Sequence, residues 1–448
     1  MRKINFLVPA IFFALTLFIF SCKKSSDTTT TTTVTPPNVY NGSITIYSSG
    51  NDTTLQSFLN GKYNTITGDV VLSSSDPIDY RKYFVNLQMI KGSVTLYKIP
   101  NKDLSFLSML RSVLGNFQIS ACPELTSFSG LASIDTIGSS VIAERNPKLL
   151  NFGGLEGIDK LASITATANP ALISFNGLHN VTALTGSLGV SQNKVLTSFV
   201  GLSGLTSIGG DMNVSENPAL GGFAGLTGLL EVKGTISLST MPLLSSLSSL
   251  TSINDTLTSL SIVDCNGLTS LQGLNNIPCI KGNLNLVSCI NLLNLNGLTK
   301  IDTIKGTVVL NKLENFNSFS GLGGVKYIKK DVRISQCNNL VNMTGLALLD
   351  SIGGGFVVQD NAKLLNFNGL SKVKTIKGKV EILENSSLYS LDGLENLKNL
   401  RNSIDIYYNS NLSSYCAIKS LTLTGTAYIS QNKYTPSWAQ IIAGSCSK

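Results

Sequence analysis

Residues 193–217 read NKVLTSFVGLSGLTSIGGDMNVSEN and contain one copy of a unit that recurs along most of the chain. The segment Ser198-Phe199-Val200-Gly201-Leu202 returns in related form every 24 residues, apart from one step of 23. Its final leucines are Leu131, Leu155, Leu178, Leu202, Leu226, Leu250, Leu274, Leu298, Leu322, Leu346, Leu370 and Leu394. Twelve copies in phase predict a repeat protein in which each unit buries its apolar face against the next.

The second half of the unit predicts a short β-strand. After Gly210, apolar and polar residues alternate, as they do in a strand with one buried face. The same alternation follows Gly42 and Gly425. We therefore predict one domain over 40–448, an all-β-rich parallel β-solenoid with about 24 residues per turn and a C-terminal cap from about residue 430.

One column of the repeat holds asparagine or cysteine, six residues before the Phe or Leu of each pentapeptide. When the units stack in register, these side chains can hydrogen-bond to their own bend and to the neighbouring unit. An inward, sterically tight bend favours such small side chains. The predicted structural ladder consists of Asn146, Asn169, Asn193, Asn217, Cys265, Cys289, Cys337, Asn361, Asn385 and Asn409, with Cys122 in the same column.

The complete unit resembles a known repeat. Its pattern, L-x-x-I-x-G-x-h-x-h-x-x-N-x-x-L-x-x-h-x-G-L with h for any apolar residue, is similar to the leucine-rich receptor L domain of insulin- and EGF-receptor ectodomains. The resemblance covers nearly all of the chain after its first 39 residues and implies a right-handed, leucine-rich solenoid. The cysteine-rich module that separates receptor L domains is missing here, so the resemblance implies a fold and transfers no ligand-contact residue.

The first 39 residues predict an export signal and a tether. Residues 1–21 combine a basic start with an apolar run that is short for a membrane span. The junction at Ser21-Cys22 resembles the lipobox of Bacteroidota-type lipoproteins, which implies lipid attachment at Cys22. An ordinary secretory peptide is the alternative. Residues 22–39 are rich in Thr and predict an extended tether, so we expect a lipid-anchored outer-membrane protein facing the surface or the periplasm.

Composition disfavours several kinds of site. A single histidine and scattered cysteines leave little material for a metal centre, and we expect neither a metal nor a cofactor. The basic residues are mostly lysine, which argues against a nucleic-acid-reading face. The ladder cysteines are expected to be buried thiols. Cys416 and Cys446 lie outside the column and are candidates for a disulfide at the C-terminal cap.

The outward positions of the strands provide a candidate binding face. Polysaccharide lyases of this shape need clustered carboxylates and a basic residue, and glycosidases need two facing carboxylates. Here charges of opposite sign alternate, and no two carboxylates share a turn. Tyrosines gather at both ends of the chain, where they could close the solenoid or form a binding platform. The candidate binding residues are Arg333, Glu381, Asp405, Tyr407 and Tyr428.

These patterns predict a non-enzymatic cell-envelope protein. Its expected partner is a protein or glycan bound by the solenoid, and its expected membrane contact is the lipid anchor; no catalytic residue is predicted. A lyase-like enzyme and a purely structural spacer are the alternatives.

Overall fold

The computed structural model describes residues 38–47 and 53–448 of the chain. The predicted signal peptide (1–21), Cys22 and nearly all of the predicted tether lie outside the described residues. The described chain is a parallel β-solenoid of about 16 turns with about 24 residues per turn, which confirms the predicted fold class. Strand Val39–Tyr40 already pairs with the next turn, so the repeat begins slightly before residue 40.

Each turn contributes one strand to a long parallel sheet. Its strands are Ile44–Ile46, Val70–Ser73, Val94–Tyr97, Phe117–Ser120, Val141–Glu144, Ile164–Thr167, Leu188–Ser191, Met212–Ser215, Thr235–Ser239, Ser259–Val263, Leu284–Val287, Val308–Asn311, Val332–Ser335, Phe356–Gln359, Val380–Leu383, Ile404–Tyr407 and Ala427–Ser430. Pairing is in register, so Met212 lies beside Ile236 and Val214 beside Leu238. Because side chains alternate along a strand, one side of the sheet lines the core and the other, the outer face, meets solvent.

A second, two-residue strand in most turns builds three shorter parallel sheets. They comprise Val39–Tyr40, Thr65–Ile66, Met89–Ile90, Ser112–Val113 and Thr136–Ile137; then Lys160–Leu161, Ala183–Leu184, Ser207–Ile208 and Glu231–Val232; then Cys279–Ile280, Thr303–Ile304, Tyr327–Ile328, Ser351–Ile352, Thr375–Ile376, Asn399–Leu400 and Thr422–Leu423. The helices are short: α-helices Thr53–Gln56, Arg81–Phe84 and Trp438–Ile442, and 3-10 helices Leu59–Gly61, Ser105–Leu107, Ser248–Leu250 and Cys416–Ile418. Sheets therefore dominate the described chain.

The core is a set of columns that run through successive turns. The turn at 193–216 buries Asn193, Leu196, Phe199, Leu202, Leu205, Ile208, Met212 and Val214. In five consecutive turns the phenylalanines stack with ring centroids 5.4–5.5 Å apart, in the order Phe128, Phe152, Phe175, Phe199 and Phe223. Each buried aliphatic or aromatic side chain contributes roughly 1.5–3 kcal/mol, and it does so only because a neighbouring turn covers it.

A left-handed residue ends nearly every strand of the long sheet. Strict alternation would turn Glu216 inward, but its φ of 53° keeps it exposed and places Asn217 inside. The same conformation, with φ of 53–58°, occurs at Lys98, Ala121, Arg145, Ala168, Gln192, Glu216, Thr240, Asp264, Ser288, Lys312, Gln336, Asp360, Glu384, Tyr408 and Gln431. A non-glycine residue in this region costs about 1–2 kcal/mol, so the surrounding turns must impose it.

A glycine with positive φ closes the opposite bend. At Gly297 φ is 119°, and a methyl group there would overlap the carbonyl of Leu271 in the preceding turn. Three turns carry Phe106, Ser249 or Ala417 at the equivalent place, and those turns form the 3-10 helices Ser105–Leu107, Ser248–Leu250 and Cys416–Ile418. At this bend, a turn therefore either has a glycine that permits close stacking on the preceding turn or forms a short 3-10 helix.

Residues 431–448, the C-terminal cap, follow the last strand. The helix Trp438–Ile442 begins with a capping box, in which the side chains of Ser437 and Gln440 each bind the other's backbone N–H. Ile441 is fully buried and anchors this helix on the solenoid end. An amphipathic segment of this kind covers inward side chains that a further turn would otherwise bury.

The cap is attached covalently and by hydrogen bonds. A disulfide joins Cys416 in the last complete turn to Cys446 in the cap. The buried Tyr415 donates its backbone N–H to the carbonyl of Cys446 at 2.8 Å and its hydroxyl to the carbonyl of Tyr434 at 2.7 Å. Burial raises the pKa of Tyr415 above its ordinary value, so the hydroxyl keeps the proton that it donates.

Candidate binding face

The asparagines of the predicted ladder lie fully buried in a hydrogen-bonded column. Asn385 accepts the backbone N–H of Asn361 at 3.1 Å and the side-chain amide of Asn361 at 3.1 Å. Its own amide donates to the carbonyls of Val358 at 3.0 Å and Leu383 at 2.9 Å. Asn385 thus satisfies two strand carbonyls and the backbone N–H of the neighbouring bend, as buried polar groups require.

The column consists of two asparagine runs rather than one continuous ladder. The first run is Asn146, Asn169, Asn193 and Asn217, and the second is Asn361, Asn385, Asn409 and Asn432. Sequence reasoning missed Asn432, which lies 23 rather than 24 residues after Asn409. Met241 and Leu313 are buried in the same column and contribute no comparable hydrogen bonds, so an apolar stretch separates the runs.

Cysteine replaces asparagine at the start of each run. The backbone N–H of Cys122 donates to Asn146 at 3.0 Å, and its thiol donates to the carbonyl of Leu96 at 3.5 Å. Cys337 makes the same backbone bond to Asn361 at 3.0 Å. A thiol can donate a hydrogen bond to a strand carbonyl, as the asparagine amide does. At the start of a run no preceding asparagine donates to this position, so the side chain does not have to accept a hydrogen bond.

The ladder cysteines are free thiols whose surroundings lower their reactivity. Burial raises the pKa to about 11 for Cys122 and Cys289 and to about 12 for Cys265 and Cys337. Metal binding and nucleophilic attack need the thiolate, which these surroundings disfavour. Among the described residues, no group of three or more His, Cys, Asp or Glu side chains could hold a metal ion.

At the C-terminal end of the outer face, one lysine holds two carboxylates. Lys379 Nζ lies 2.8 Å from Glu381 Oε1 and 2.8 Å from Asp405 Oδ2. Glu381 and Asp405 are paired residues on adjacent strands. The hydrogen bond with Asp405, followed by that with Glu381, raises the pKa of Lys379, so its ammonium group stays charged near neutral pH.

Three tyrosines adjoin this charged group. The ring of Tyr407 lies 5.3 Å from that of Tyr408 and 5.7 Å from that of Tyr428, and both pairs are edge-to-face. Tyr428 is paired with Asp405 across adjacent strands. Tyr408 and Tyr428 are 50% and 56% exposed, so their rings face solvent although they pack on each other through Tyr407.

Together Lys379, Glu381, Asp405, Tyr407, Tyr408 and Tyr428 form what we call the tyrosine–carboxylate cluster. It contains four of the five predicted binding residues. The fifth, Arg333, lies two strands before Glu381, about 10 Å away along the sheet. Its guanidinium pairs with Asp331 at 3.0 Å beside a shallow depression of about 420 Å³ lined mainly by Ser, Thr and Asn.

Three of the remaining end tyrosines differ from this cluster. Near the N-terminal end, Tyr80 is fully buried and Tyr40 packs against Phe58 with ring centroids 4.8 Å apart. At the other end Tyr415 is fully buried under the cap. From the sequence alone, the tyrosines at the two ends could either close the solenoid or form a binding platform. The structure places Tyr40, Tyr80 and Tyr415 in the packing of the two ends and leaves Tyr407, Tyr408 and Tyr428 on the outer face.

Comparison with known proteins does not assign this chain to a family. No protein-family model matches the sequence, and no curated protein matches it. Similar solved structures include the TLR13–ssRNA13 complex, with a TM-score of 0.32 and 16% identity over 82% of this chain. This chain spans 65% of the TLR13 chain, which is just under two thirds of its length.

Two further similar structures are bacterial leucine-rich repeat proteins. That from Leptospira interrogans has a TM-score of 0.24 and 14% identity over 73% of this chain and 88% of its own. That from Bacteroides ovatus ATCC 8483 has a TM-score of 0.19 and 12% identity over 80% of this chain and 87% of its own. At these values the likenesses do not bear on function. Among the described residues, no helix has the length and apolarity needed to cross a bilayer.

Proposed function

We propose that this protein is a lipid-anchored cell-envelope protein whose solenoid binds a protein or glycan without catalysing a reaction. The observation that carries this proposal is the tyrosine–carboxylate cluster on the outer face. A repeat solenoid has a binding or structural role, and the cluster favours binding. The cluster combines exposed rings, two carboxylates and an ammonium group within three adjacent turns.

The composition of the outer face changes along a sheet of uniform geometry. Five to nine turns before Glu381, the equivalent outward positions carry uncharged, non-aromatic side chains, at Thr165, Thr167, Gly189, Ser191, Asn213, Ser215, Ser237, Ser239, Ser261 and Val263. Outward side chains do not fill the core, so the fold requires neither tyrosine nor charge there. The close grouping of three tyrosines with three charged side chains is therefore better explained by a ligand than by folding.

The chemistry of the cluster suits recognition. Tyrosine offers a rigid ring with apolar faces and a hydroxyl, and such rings recur among the residues that dominate binding energy. The ion pairs of Lys379 with Glu381 and Asp405 hold the polar groups in one arrangement before a ligand arrives. Strands hold the cluster on a scaffold fixed at about 4.8 Å per turn, which lowers the ordering cost of binding.

The same geometry argues against hydrolysis. A glycosidase needs one carboxylic acid that keeps its proton and a second carboxylate that is free to attack or to activate water. Glu381 and Asp405 are both engaged by one ammonium group, and no apolar wall separates them. The proposed role is therefore binding rather than cleavage.

The proposal predicts that ligand binding depends on the exposed rings. Purified wild-type protein, a Tyr407→Ala/Tyr428→Ala variant and a Ser215→Ala/Ser239→Ala control would be compared on a glycan array and on immobilised mucin and extracellular-matrix proteins. We expect at least one ligand whose binding falls about tenfold in the tyrosine variant and is unchanged in the control. Equal binding by all three proteins, or cleavage of a bound polysaccharide, would refute the proposal.

The anchor is a separate part of the proposal and is supported by the sequence around Cys22. Metabolic labelling with palmitate should mark the wild-type protein and not a Cys22→Ala variant. Labelling of both, or of neither, would contradict lipid attachment at this residue.

A further inference from the structure

One edge of the solenoid carries a row of basic residues. In the short sheet that runs from Cys279–Ile280 to Thr422–Leu423, the residues that follow the seven strands are Lys281, Lys305, Lys329, Gly353, Lys377, Arg401 and Thr424. Their strands pair in register, from Ile280 beside Ile304 through Ile376 beside Leu400. We call the five cations the basic stripe.

The spacing of the basic stripe is fixed by the backbone. The N–H of Lys305 donates to the carbonyl of Ile280 at 2.9 Å, and the N–H of Lys377 donates to that of Ile352 at 3.1 Å. Successive side chains therefore start about 4.8 Å apart, and the stripe extends for about 24 Å with a single gap at Gly353.

These cations form no salt bridge within the described residues. All five side chains are exposed, and none forms an ion pair with a carboxylate of the described residues. Lys329 lies over the ring of Tyr327 at 4.4 Å and has no anionic partner. Lys330 adds a further cation beside the stripe, while the nearby Lys374 is paired with Asp350 at 2.8 Å.

The fold does not require lysine at these positions. In the two preceding short sheets, seven of the nine strands are followed by a residue without a cation. The nine residues are Asn41, Thr67, Lys91, Leu114, Gly138, Ala162, Thr185, Gly209 and Lys233. Five like charges in one row repel each other, which disfavours the folded state unless an anion compensates them. A row of this kind is therefore better explained by an anionic ligand than by stability.

A depression marks the C-terminal end of the basic stripe. It has a volume of about 630 Å³ and is lined by Thr375, Ile376, Lys377, Asn399, Leu400, Arg401, Thr422 and Thr424. The lining holds two cations, three hydroxyl groups and an amide, and it includes no carboxylate. Such a lining can donate several hydrogen bonds to a carboxylate or sulfate group.

We infer that the basic stripe binds a linear acidic polysaccharide that lies along the solenoid axis. One cation per turn recurs at about the length of one sugar unit, so an extended polyuronate or sulfated chain would present one anionic group to each turn. The depression would hold one carboxylate or sulfate between Lys377 and Arg401. This inference goes beyond the proposed function, because the stripe shares no residue with the tyrosine–carboxylate cluster.

Other polyanions fit this edge less well. Proteins that bind single-stranded nucleic acid stack bases on exposed aromatic rings, and Tyr327 is the one aromatic residue within the short strands of this edge, where Lys329 covers its ring. Binding to an anionic bilayer uses a broad basic surface with apolar side chains that insert between lipids. The stripe is a single row, which matches a chain-like ligand better than a planar surface.

The test uses matched pairs of substitutions in the purified protein. Lys377→Ser/Arg401→Ser removes two stripe charges, and Lys312→Ser/Lys363→Ser removes two exposed lysines from elsewhere on the turns. Binding to polygalacturonate and heparin is measured for both variants and for wild type, with dextran as a neutral polymer. We expect about tenfold weaker binding for the stripe variant, little change for the control, and weaker binding at high salt. Unchanged melting temperatures would show that all three proteins are folded.

Separate arms distinguish the alternatives. Equal affinity of both variants, or no binding to either acidic polysaccharide, overturns the inference. Stripe-dependent binding to poly(dT) or to phosphatidylglycerol vesicles in place of the polysaccharides also overturns it. The Tyr407→Ala/Tyr428→Ala variant should keep its affinity for the acidic polysaccharides, so failure of this inference and failure of the proposed function give different results.

Discussion

Tyr408 and Thr240 have little in common as side chains, yet both adopt the left-handed conformation that ends a strand. At least nine residue types share that column, among them Lys, Arg, Glu and Ala. No sequence pattern marks it, because the backbone of the neighbouring turns imposes the conformation. The residue that follows each of these belongs to the asparagine and cysteine ladder. That column could be predicted from the sequence, because only a few side chains suit a buried position that must form hydrogen bonds. Residue-scale prediction thus succeeded where chemistry restricts the side chain.

The bend glycines provide a sharp test at the residue scale. Gly297→Ala would place a methyl group against the carbonyl of Leu271 at a φ of 119°, so we expect a loss of at least about 3 kcal/mol in the free energy of unfolding. Gly221→Ala is the control, because its nearest neighbour is 3.9 Å away. Urea unfolding followed by circular dichroism measures both. Comparable stability of the two variants would contradict the close stacking of turns at this bend.

At the scale of single elements, the strands could be predicted from the 24-residue repeat, whereas the structure of the cap could not. Each strand of the long sheet repeats a local pattern, so its seventeen copies reinforce one another. The cap occurs once and lacks the repeat, so its helix Trp438–Ile442 could not be read from the repeat. The sequence left the pairing of Cys416 and Cys446 open, because their separation is known from sequence but their approach depends on how the cap folds back.

The disulfide should stabilise the cap more than the rest of the solenoid. Cys416→Ser/Cys446→Ser opens a 30-residue loop, which corresponds to about 3–4 kcal/mol of chain entropy in the denatured state. We expect faster amide hydrogen exchange over 431–448 in this variant and little change around residue 200. Dithiothreitol should reproduce the effect in the wild-type protein. A Cys265→Ala/Cys289→Ala control, which removes two free thiols, should leave exchange in the cap unchanged.

For the whole molecule, long-range order arises from contacts between adjacent turns. The sequence predicted this arrangement, because units of nearly constant length can stack on each other with equivalent residues side by side. It predicted the function less well. The motif Ile-Lys-Gly recurs at 280–282, 304–306 and 376–378, but only the register shows that these lysines form one edge without partner carboxylates. The tyrosine–carboxylate cluster likewise depends on neighbours 23 or 24 residues apart.

A charge inside the stack should disrupt several turns together. Leu286 is fully buried, so Leu286→Asp should cost more than about 4 kcal/mol and remove hydrogen-exchange protection from the flanking turns. Asn285 faces outward and donates to Ser261 at 3.1 Å, so Asn285→Asp should change stability by less than about 1 kcal/mol. Thermal melts and exchange mass spectrometry compare the two variants. Equal tolerance of both changes would be inconsistent with the inward side assigned to this strand.

The in-register ladder also has a consequence for evolution. Asn169, Asn193 and Asn217 make equivalent bonds to their neighbours, so the segment 193–216 could be excised and Asn217 would meet Asn169 in the geometry that Asn193 had. Duplication of the same segment would insert a coil with equal ease. Genes for such chains can therefore lengthen or shorten by whole units while the two ends, where the aromatic packing and the disulfide lie, stay as they are.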